Sequence, residues 1–321
     1  MRHLTRFVAT SAVAVALFTT IVSLVSLLFP DWWITELLSH LRPFYVFVLV
    51  CCLPIVMLRY RRIGWLILLP FALNIAPILP LYQPRQSLPQ GNKWSVLHYN
   101  LDLTASDHKS VFAYLRDQAP DILLLQEVTP ELEHLFRSEL PNYRIAFSYP
   151  LTNTQGSALL LPYNSPIQVR DAHVVYLPTY SPRPMLTATL ALGGQDMILL
   201  SMQTTRPRNA DTSAFQQIEF EAIAAWSSLQ QEKNHALLLI GDINTTPWST
   251  RFQRLLAAGN LHDSGVGYGL QPTWPASLPP LLGIPIDHCL MNARVKTVGR
   301  EIGPALGGDH RPLLIQFSFL P

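Results

Sequence analysis

The chain has 321 residues, 49% of them hydrophobic and 14% charged, with a formal net charge of +2. That length suits one large domain or two ordinary ones, and the charge is unevenly placed: residues 1–92 hold seven basic and two acidic side chains, residues 93–321 sixteen Lys or Arg against nineteen Asp or Glu. A net acidic C-terminal portion without a basic run argues against long nucleic acid as its main partner, and the lone Cys289 excludes an internal disulfide or a cysteine metal site there.

Residues 7–29 run for 23 positions without a charge, enough to cross a hydrocarbon core of about 30 Å. A second apolar run covers 43–58 and a third 63–82, the latter interrupted by Pro70, Pro77 and Pro80. Together they predict a membrane anchor over residues 1–82 with about three transmembrane helices. The first run is too long for the core of a cleaved signal peptide, and further apolar runs follow it. Cys51 and Cys52 fall inside the second run as small apolar residues. Arg2 and Arg6 flank the first run, and Arg59, Arg61 and Arg62 separate the second from the third, whereas 30–42 holds Asp31, Glu36 and a single Arg. Arginine-rich segments stay cytoplasmic, which places the N-terminus inside and the C-terminal domain on the extracytoplasmic side of a multi-pass membrane protein. A Pro- and Gln-rich linker is expected at 83–92.

From residue 93 to 321, apolar runs alternate with helix-like segments. The runs are "WSVLHYNL", "DILLLQEV", "GSALLLP", "DMILLSMQ", "HALLLIGDIN", "IPIDHCLM" and "RPLLIQFSF", and the clearest helical segments are 110–118 and 214–230. Seven or more strands with a few helices predict an α/β sandwich. Five of the strand ends carry polar residues: Asn100, Glu127, Asp242 with Asn244, Asp287, and Asp309 with His310. In "LLLIGDINTTPWS", residues two apart share a strand face, so Asp242 and Asn244 project together. Each residue also has a structural reading. Asp242 and Asn244 suit a turn, Asn100 a cap, Glu127 a helix start, Asp287 a paired core carboxylate and His288 a sheet edge. Their recurrence at strand ends, where α/β sheets collect their sites, favours a functional grouping.

In that order, "LHYNLD", "LLLQEV", "GDINTTPWS", "PIDH" and "GGDHRP" resemble the motifs of the endonuclease/exonuclease/phosphatase superfamily. That group includes DNase I-like nucleases, neutral sphingomyelinases and inositol polyphosphate phosphatases. The resemblance covers residues 93–321, and the anchor-plus-domain layout is similar to bacterial membrane-bound members. It implies a four-layer α/β sandwich, two packed β-sheets flanked by helices, preceded by transmembrane helices. It also implies divalent-metal-dependent hydrolysis of a phosphodiester or phosphomonoester, on a lipid headgroup or a small phosphorylated metabolite. Glu127 would hold Mg²⁺ or Mn²⁺, with Asn100 and Asp309 assisting. Asp242 would align or deprotonate water, Asn244 would donate to a phosphate oxygen, and His310 would touch the phosphate or activate water. Asp287 would fix the His310 tautomer.

Two positions depart from the pattern. Gln203 stands where many phosphodiesterases of the family have His, and "LLLPYNSP" lacks an expected Ser-Arg pair. Gln donates hydrogen bonds but carries neither proton nor charge. Gln203 therefore motivates an alternative, a binding or receptor module that keeps the fold without turnover; a DNase-like nuclease is the other. Gln203, Arg183 and Trp274 are expected on the substrate side; Arg183, Arg206 and Arg208 read equally as receivers of a polyanion or as solvated faces, and Trp248, Trp274 and Tyr268 sit in loops near the motifs, as pocket walls or packing anchors. His98, His108, His134, His173, His235 and His262 have no partner spacing and read as surface or satisfied core groups.

Overall fold

The computed structural model describes residues 2–84, 91–102 and 108–320; residues 85–90 of the expected linker lie outside the described residues. The chain begins with four helices, α1 (Arg2–Leu28), α2 (Trp33–Ser39), α3 (Arg42–Arg59) and α4 (Arg61–Ile75), then a 3₁₀ turn over Leu79–Tyr82. Two stretches, Arg6–Leu28 and Arg42–Arg59, are long and apolar enough to cross a membrane. The third expected span is shorter than its sequence run: α4 has 15 residues, about 22 Å at 1.5 Å per residue. Pro77 lies just past its end and Pro80 falls in the 3₁₀ turn.

These helices pack together around Leu49 and Ile67 but leave much apolar surface exposed. Their outward positions are large and apolar, with Phe7, Phe18, Phe47, Leu58, Trp65 and Leu66 all more than half exposed. Their contacts are lined by Ala12, Ala16, Cys52 and Val56, and Ser23, Ser26 and Asn74 are buried.

The remainder is α/β, with two mixed six-stranded sheets. The first contains β1 (Trp94–Asn100), β2 (Ile122–Gln126), β3 (Tyr143–Tyr149), β4 (Ser157–Pro162), β11 (Val295–Ile302) and β12 (Leu313–Phe319), in the order β11-β12-β1-β2-β4-β3. The second contains β5 (Gln168–Tyr176), β6 (Pro184–Leu192), β7 (Gln195–Gln203), β8 (Ala236–Asp242), β9 (His262–Asp263) and β10 (Asp287–Met291), in the order β5-β6-β7-β8-β10-β9. Alternate residues of each central strand face opposite layers. Ile122 and Leu124 enter the core between the sheets, while Leu123 and Leu125 pack towards α5 (Lys109–Gln118) and α6 (Pro130–Glu139). Likewise Leu238 and Ile240 face the first sheet, and Leu237 and Leu239 meet α7 (Ala210–Glu232) and α8 (Thr250–Gly259). Burial on both faces explains why these strands read as unbroken apolar runs.

Strand pairing gathers the polar ends at one edge. The parallel pair β1/β2 sets Asn100 beside Gln126, the parallel pair β7/β8 sets Gln203 beside Asp242, and β10 sets Asp287 beside Asp242. The two sheets are tied together at this edge by Gln126, whose Nε2 donates to Met202 O at 2.7 Å and whose Oε1 accepts from Asp242 N at 3.3 Å. Gly241 lies against this tie with φ +154°, and a Cβ there would sit 1.8 Å from Met202 O. Only glycine admits that approach.

The helices and the sandwich share a buried interface. Trp248 Nε1 donates to Ser39 O at 2.9 Å, Ser249 Oγ donates to Glu36, and His40 Nδ1 lies 2.9 Å from Thr246 Oγ1. Trp248 packs against Ile78 and Leu81, and Arg254 pairs with Asp31. The segment that follows Asn244 is therefore seated on the helix between the first two expected spans.

Candidate functional site

Two residues reach the site through left-handed backbone, Glu127 at φ +60° and Asn244 at φ +51°. Such conformations are uncommon outside glycine and concentrate where a side chain must be aimed. Glu127 follows directly on the buried strand β2 and Asn244 lies two residues past the end of β8, so rigid elements carry them.

Around Glu127 the neighbours are amides. Asn100 Nδ2 donates to Glu127 Oε1 at 3.1 Å, and Gln203 Nε2 donates to the same oxygen at 3.3 Å. Asn100 Oδ1 accepts from Asp102 N at 3.1 Å, and the Asp102 carboxylate accepts from Asp309 N at 3.1 Å. Trp274 Nε1 donates to Asp309 Oδ2 at 3.1 Å.

A second group centres on Asp287. Its Oδ2 accepts from His310 Nδ1 at 2.8 Å and its Oδ1 from His98 Nε2 at 3.0 Å. His310 Nε2 then faces Asp242 Oδ2 and Asp309 Oδ1, each at 3.8 Å. Asn244 orients Asp242, with its backbone N–H on Oδ1 at 3.0 Å and its Nδ2 on Oδ2 at 3.1 Å.

Burial and charge set the protonation states. Burial alone would raise Asp287, but the His310 charge and the hydrogen bonds from His310 and His98 outweigh it and hold the carboxyl below the usual range. Burial alone would lower His310, yet the Asp287 and Asp242 carboxylates push it up to about 10. Asp242 is pushed up to about 7, mainly by burial, with the charges of Asp287 and Glu127 adding to the rise and His310 opposing it. At neutral pH the site thus presents an imidazolium N–H beside a carboxylate that titrates near neutrality.

A cleft of about 110 Å³ is lined by Glu127, Gln203, Asp242, Asn244, Asp309 and His310, with Arg183, Arg206, Arg208 and Trp274 also on its walls. Asn100 and Asp287 lie behind it, touching Glu127 and His310. Every site residue expected from the sequence is therefore in this constellation or in contact with it. Trp248 is not, being buried in the helix interface, and Tyr268 lines a separate cavity of about 410 Å³ with Gln83 and His262. His288, whose structural reading was a sheet edge, is buried, with Nε2 2.9 Å from Thr245 O. Sequence reasoning set His98 aside as a satisfied core or surface group. It is buried, and its partner is Asp287. The signal was present, because His98 lies two residues before Asn100 on β1 and so shares its face. Gln126, which ties the sheets, was passed over in favour of its neighbour Glu127.

Among the described residues, no group of three His, Cys, Asp or Glu side chains is spaced to hold a metal ion. The donor set is instead sparse and oxygen-based, one carboxylate at Glu127 with Asn100 beside it and Asp309 across the cleft. That set fits Mg²⁺, which keeps several waters and uses one or two carboxylates plus substrate oxygens. No thiolate is offered there, and the one imidazole on the cleft, His310, is engaged through Nδ1 with Asp287.

A family model described as the endonuclease/exonuclease/phosphatase family matches residues 97–310. The chain is similar to the structure of Danio rerio TDP2 complexed with a single-strand DNA product, at 15% identity and TM-score 0.58, covering 71% of this chain and 99% of that one. It is similar to the human nocturnin catalytic domain with bound sulfate, at 17% identity and TM-score 0.55, covering 74% and 100%. It is also similar to a mannosyl-6-phosphatase from Bacteroides thetaiotaomicron, at 15% identity and TM-score 0.55, covering 70% and 100%. Likeness at this identity establishes the shared fold. Among curated proteins, none matches the sequence closely enough to count.

Proposed function

The chain belongs to the endonuclease/exonuclease/phosphatase family, and on that premise we propose that it is a membrane-anchored, Mg²⁺-dependent phosphoesterase acting on a lipid headgroup or a small phosphorylated metabolite. It is a hydrolase of phosphoric ester bonds; the anchor, the metal and the residue roles are the proposal. The observation that carries it is the hydrogen-bonded line from His98 through Asp287 to His310, whose Nε2 faces Asp242 across the cleft.

Asp287 accepts a hydrogen bond from His310 Nδ1–H, which fixes the ring so that Nε2–H points into the cleft. Held positive by Asp287 and Asp242, His310 donates to a non-bridging oxygen of the phosphate, where negative charge grows as water attacks. As the water oxygen bonds to phosphorus, Asp242 takes its proton, the ester P–O bond breaks and the departing oxygen takes up a proton from solvent; the Asp242 position near pH 7 suits a general base. Asn244 aims Asp242 through both of its hydrogen bonds. Glu127 would hold the metal, with Asp309 on the opposite wall and the Asn100 and Gln203 amides orienting the Glu127 carboxylate. When bound, Mg²⁺ supplies Lewis-acid neutralisation of phosphate charge.

The exposed apolar belt on α1, α3 and α4 supports the anchor. Trp32, Trp33 and Tyr82 lie at one end of these helices and Tyr60 and Trp65 at the other, as interfacial aromatics do. The arginines at 59, 61 and 62 lie at the α3–α4 turn, away from the domain-contacting residues 31–40, which favours a domain on the extracytoplasmic side.

The test is hydrolysis by the full chain in nanodiscs, with Mg²⁺, Mn²⁺ or EDTA, against bis-p-nitrophenyl phosphate, p-nitrophenyl phosphate, phospholipids, nucleotides and plasmid DNA. Metal-dependent turnover of a phospholipid or a small ester above that of DNA is expected. Binding of Mg²⁺ with no turnover of any ester would instead favour a receptor module, and DNA as the best substrate would favour a nuclease.

A further inference from the structure

The cleft carries more cationic side chains than a single phosphate requires. His310 and Asn244 already stand at the reacting centre, yet Arg183, Arg206 and Arg208 line the same small space. The domain is net acidic overall, so this cluster is a local feature rather than part of a general basic surface.

Two of the arginines are held by neutral partners. Arg183 Nε donates to Thr205 Oγ1 at 3.0 Å. The Arg206 guanidinium lies over the Trp274 ring, 4.7 Å from its centroid. Among the described residues, no Asp or Glu forms an ion pair with Arg183, Arg206 or Arg208. The loops that bear them share one buried anchor. Glu219, on α7, accepts from Thr205 N at 2.7 Å and from Ser181 Oγ at 3.4 Å, and Ser181 Oγ in turn accepts from Arg183 N at 3.1 Å. Glu219 has no exposed surface. A buried carboxylate thus ties together the turns that bear Arg183 and Arg206, facing Arg183 from behind. The guanidinium groups meanwhile stay out of ion-pair contact with the cleft carboxylates Glu127, Asp242 and Asp309; that is a built anion site.

We propose that Arg183, Arg206 and Arg208 form a second anion subsite, so that the preferred substrate carries a second phosphate next to the one that is cleaved. The inference rests on the phosphoesterase reading and narrows its substrate class to pyrophosphate or closely spaced bisphosphate compounds. Guanidinium forks match phosphate oxygens in pairs, and three of them suit one additional phosphate group rather than a long polyanion. Glu219 acts as a positioning residue through the two turns.

The experiment uses the full chain in zwitterionic nanodiscs. Metal-free calorimetry with inorganic pyrophosphate and inorganic phosphate is expected to show pyrophosphate binding at least about tenfold tighter, from charge-assisted hydrogen bonds to the added phosphate. Arg183→Ala and Arg206→Ala should each remove most of that advantage. They should also lower the ratio of kcat/KM for a bisphosphorylated ester over a monophosphorylated one by about 10–100-fold. Glu219→Gln, of the same size, should lower both ratios in the same direction. A soluble nucleoside diphosphate and a lipid pyrophosphate in the nanodisc serve as two arms; preference confined to the second assigns the substrate to the membrane, and preference in the first assigns a soluble compound. Equal binding of the two anions, or ratios unmoved by the arginine substitutions, would overturn the subsite. Arginine-dependent pyrophosphate binding without turnover of any ester would sustain the subsite and refute the phosphoesterase reading instead.

Discussion

Trp248→Ala isolates the contact between the N-terminal helices and the segment that follows Asn244. Trp248 is 2% exposed, packs against Ile78 and Leu81, and donates to Ser39 O at 2.9 Å. A buried Trp removes about 150–250 Å² from water, which at ~25 cal/mol per Å² gives about 4–6 kcal/mol as an upper bound. Large-to-small core substitutions of this kind cost about 3–5 kcal/mol, so the two routes agree near 4 kcal/mol. The exposed Arg254–Asp31 pair adds little, since surface pairs are worth about 0–1 kcal/mol. A loss near 4 kcal/mol raises the undocked population by about a thousandfold. The assay is amide hydrogen exchange of the full chain in nanodiscs, followed over residues 33–42 and 244–250 beside the β8 core. Faster exchange is expected in both segments but not in β8, together with a fall in kcat as Asn244 loses its seat. Trp248→Phe, which keeps most of the packing, should cost only about 1 kcal/mol for the hydrogen bond. Unchanged exchange at 33–42 would refute the interface, and faster exchange with full activity would refute its link to the site.

His310→Ala should lower kcat by about 10²–10⁴-fold while leaving the Mg²⁺ dependence nearly intact, and Asp287→Asn should act in the same direction. The double variant should cost little more than the worse single one, as for groups that act as a unit; additive losses would separate their roles. The pH profile of kcat/KM should rise through about pH 7, as Asp242 loses its proton, and fall near pH 10, as His310 loses its own. A bound cation would move the acid limb lower, and Asp242→Asn should abolish that limb in any residual rate. A reporter fused after the C-terminal residue should function only outside the cytoplasm; activity of a cytoplasmic reporter there would reverse the assigned topology.

Legibility in the sequence followed unbroken apolar runs rather than burial alone: β6 is buried at eight of its nine positions yet stayed unmarked, because Thr187 and Thr189 interrupt "PMLTATLAL". Strands covered on both faces, such as β2 and β8, announced themselves as apolar runs, and both lie where the sequence placed them. Strand β5 did not, because its burial is broken and half its residues are exposed in "QVRDAHVVY", so neither period nor composition marks it. Strand β11 was hidden for the same reason: Lys296, Arg300 and Glu301 interrupt it, although Arg300 is buried. Helix α8 was missed because its ten residues follow directly on the motif "GDINTTPWS". Its Ser249 cap, which accepts from Arg251 N and Phe252 N, was nevertheless visible as a Ser before an apolar-periodic stretch. The docking of α2 had no local signal at all. A seven-residue segment with one buried Glu gains its partners from positions more than 200 residues away, which no periodicity encodes.

Gln203 shows how structure changes the meaning of a departure. In the sequence it stands for a missing histidine, and the loss of a charged donor to phosphate motivates a module without turnover. In the structure its Nε2 lies 3.3 Å from Glu127 Oε1, on the oxygen that also receives Asn100 Nδ2 at 3.1 Å. Two neutral amides on one carboxylate oxygen orient it and leave its negative charge in place, which suits a group that must meet a cation. Gln203→Met keeps the length and removes the donor. If the amide serves Glu127, the Mg²⁺ concentration for half-maximal rate should rise by about 10–100-fold, with kcat at saturating Mg²⁺ changed little. Should kcat fall at saturating metal with an unchanged Mg²⁺ requirement, the amide acts on the phosphate instead. Gln203→His extends the argument, because an imidazole that becomes protonated beside Glu127 would compete with the cation for the same oxygen. It should therefore weaken Mg²⁺ dependence more at pH 6 than at pH 8, and a gain in rate at both pH values would restore the view of Gln203 as a lost catalytic histidine.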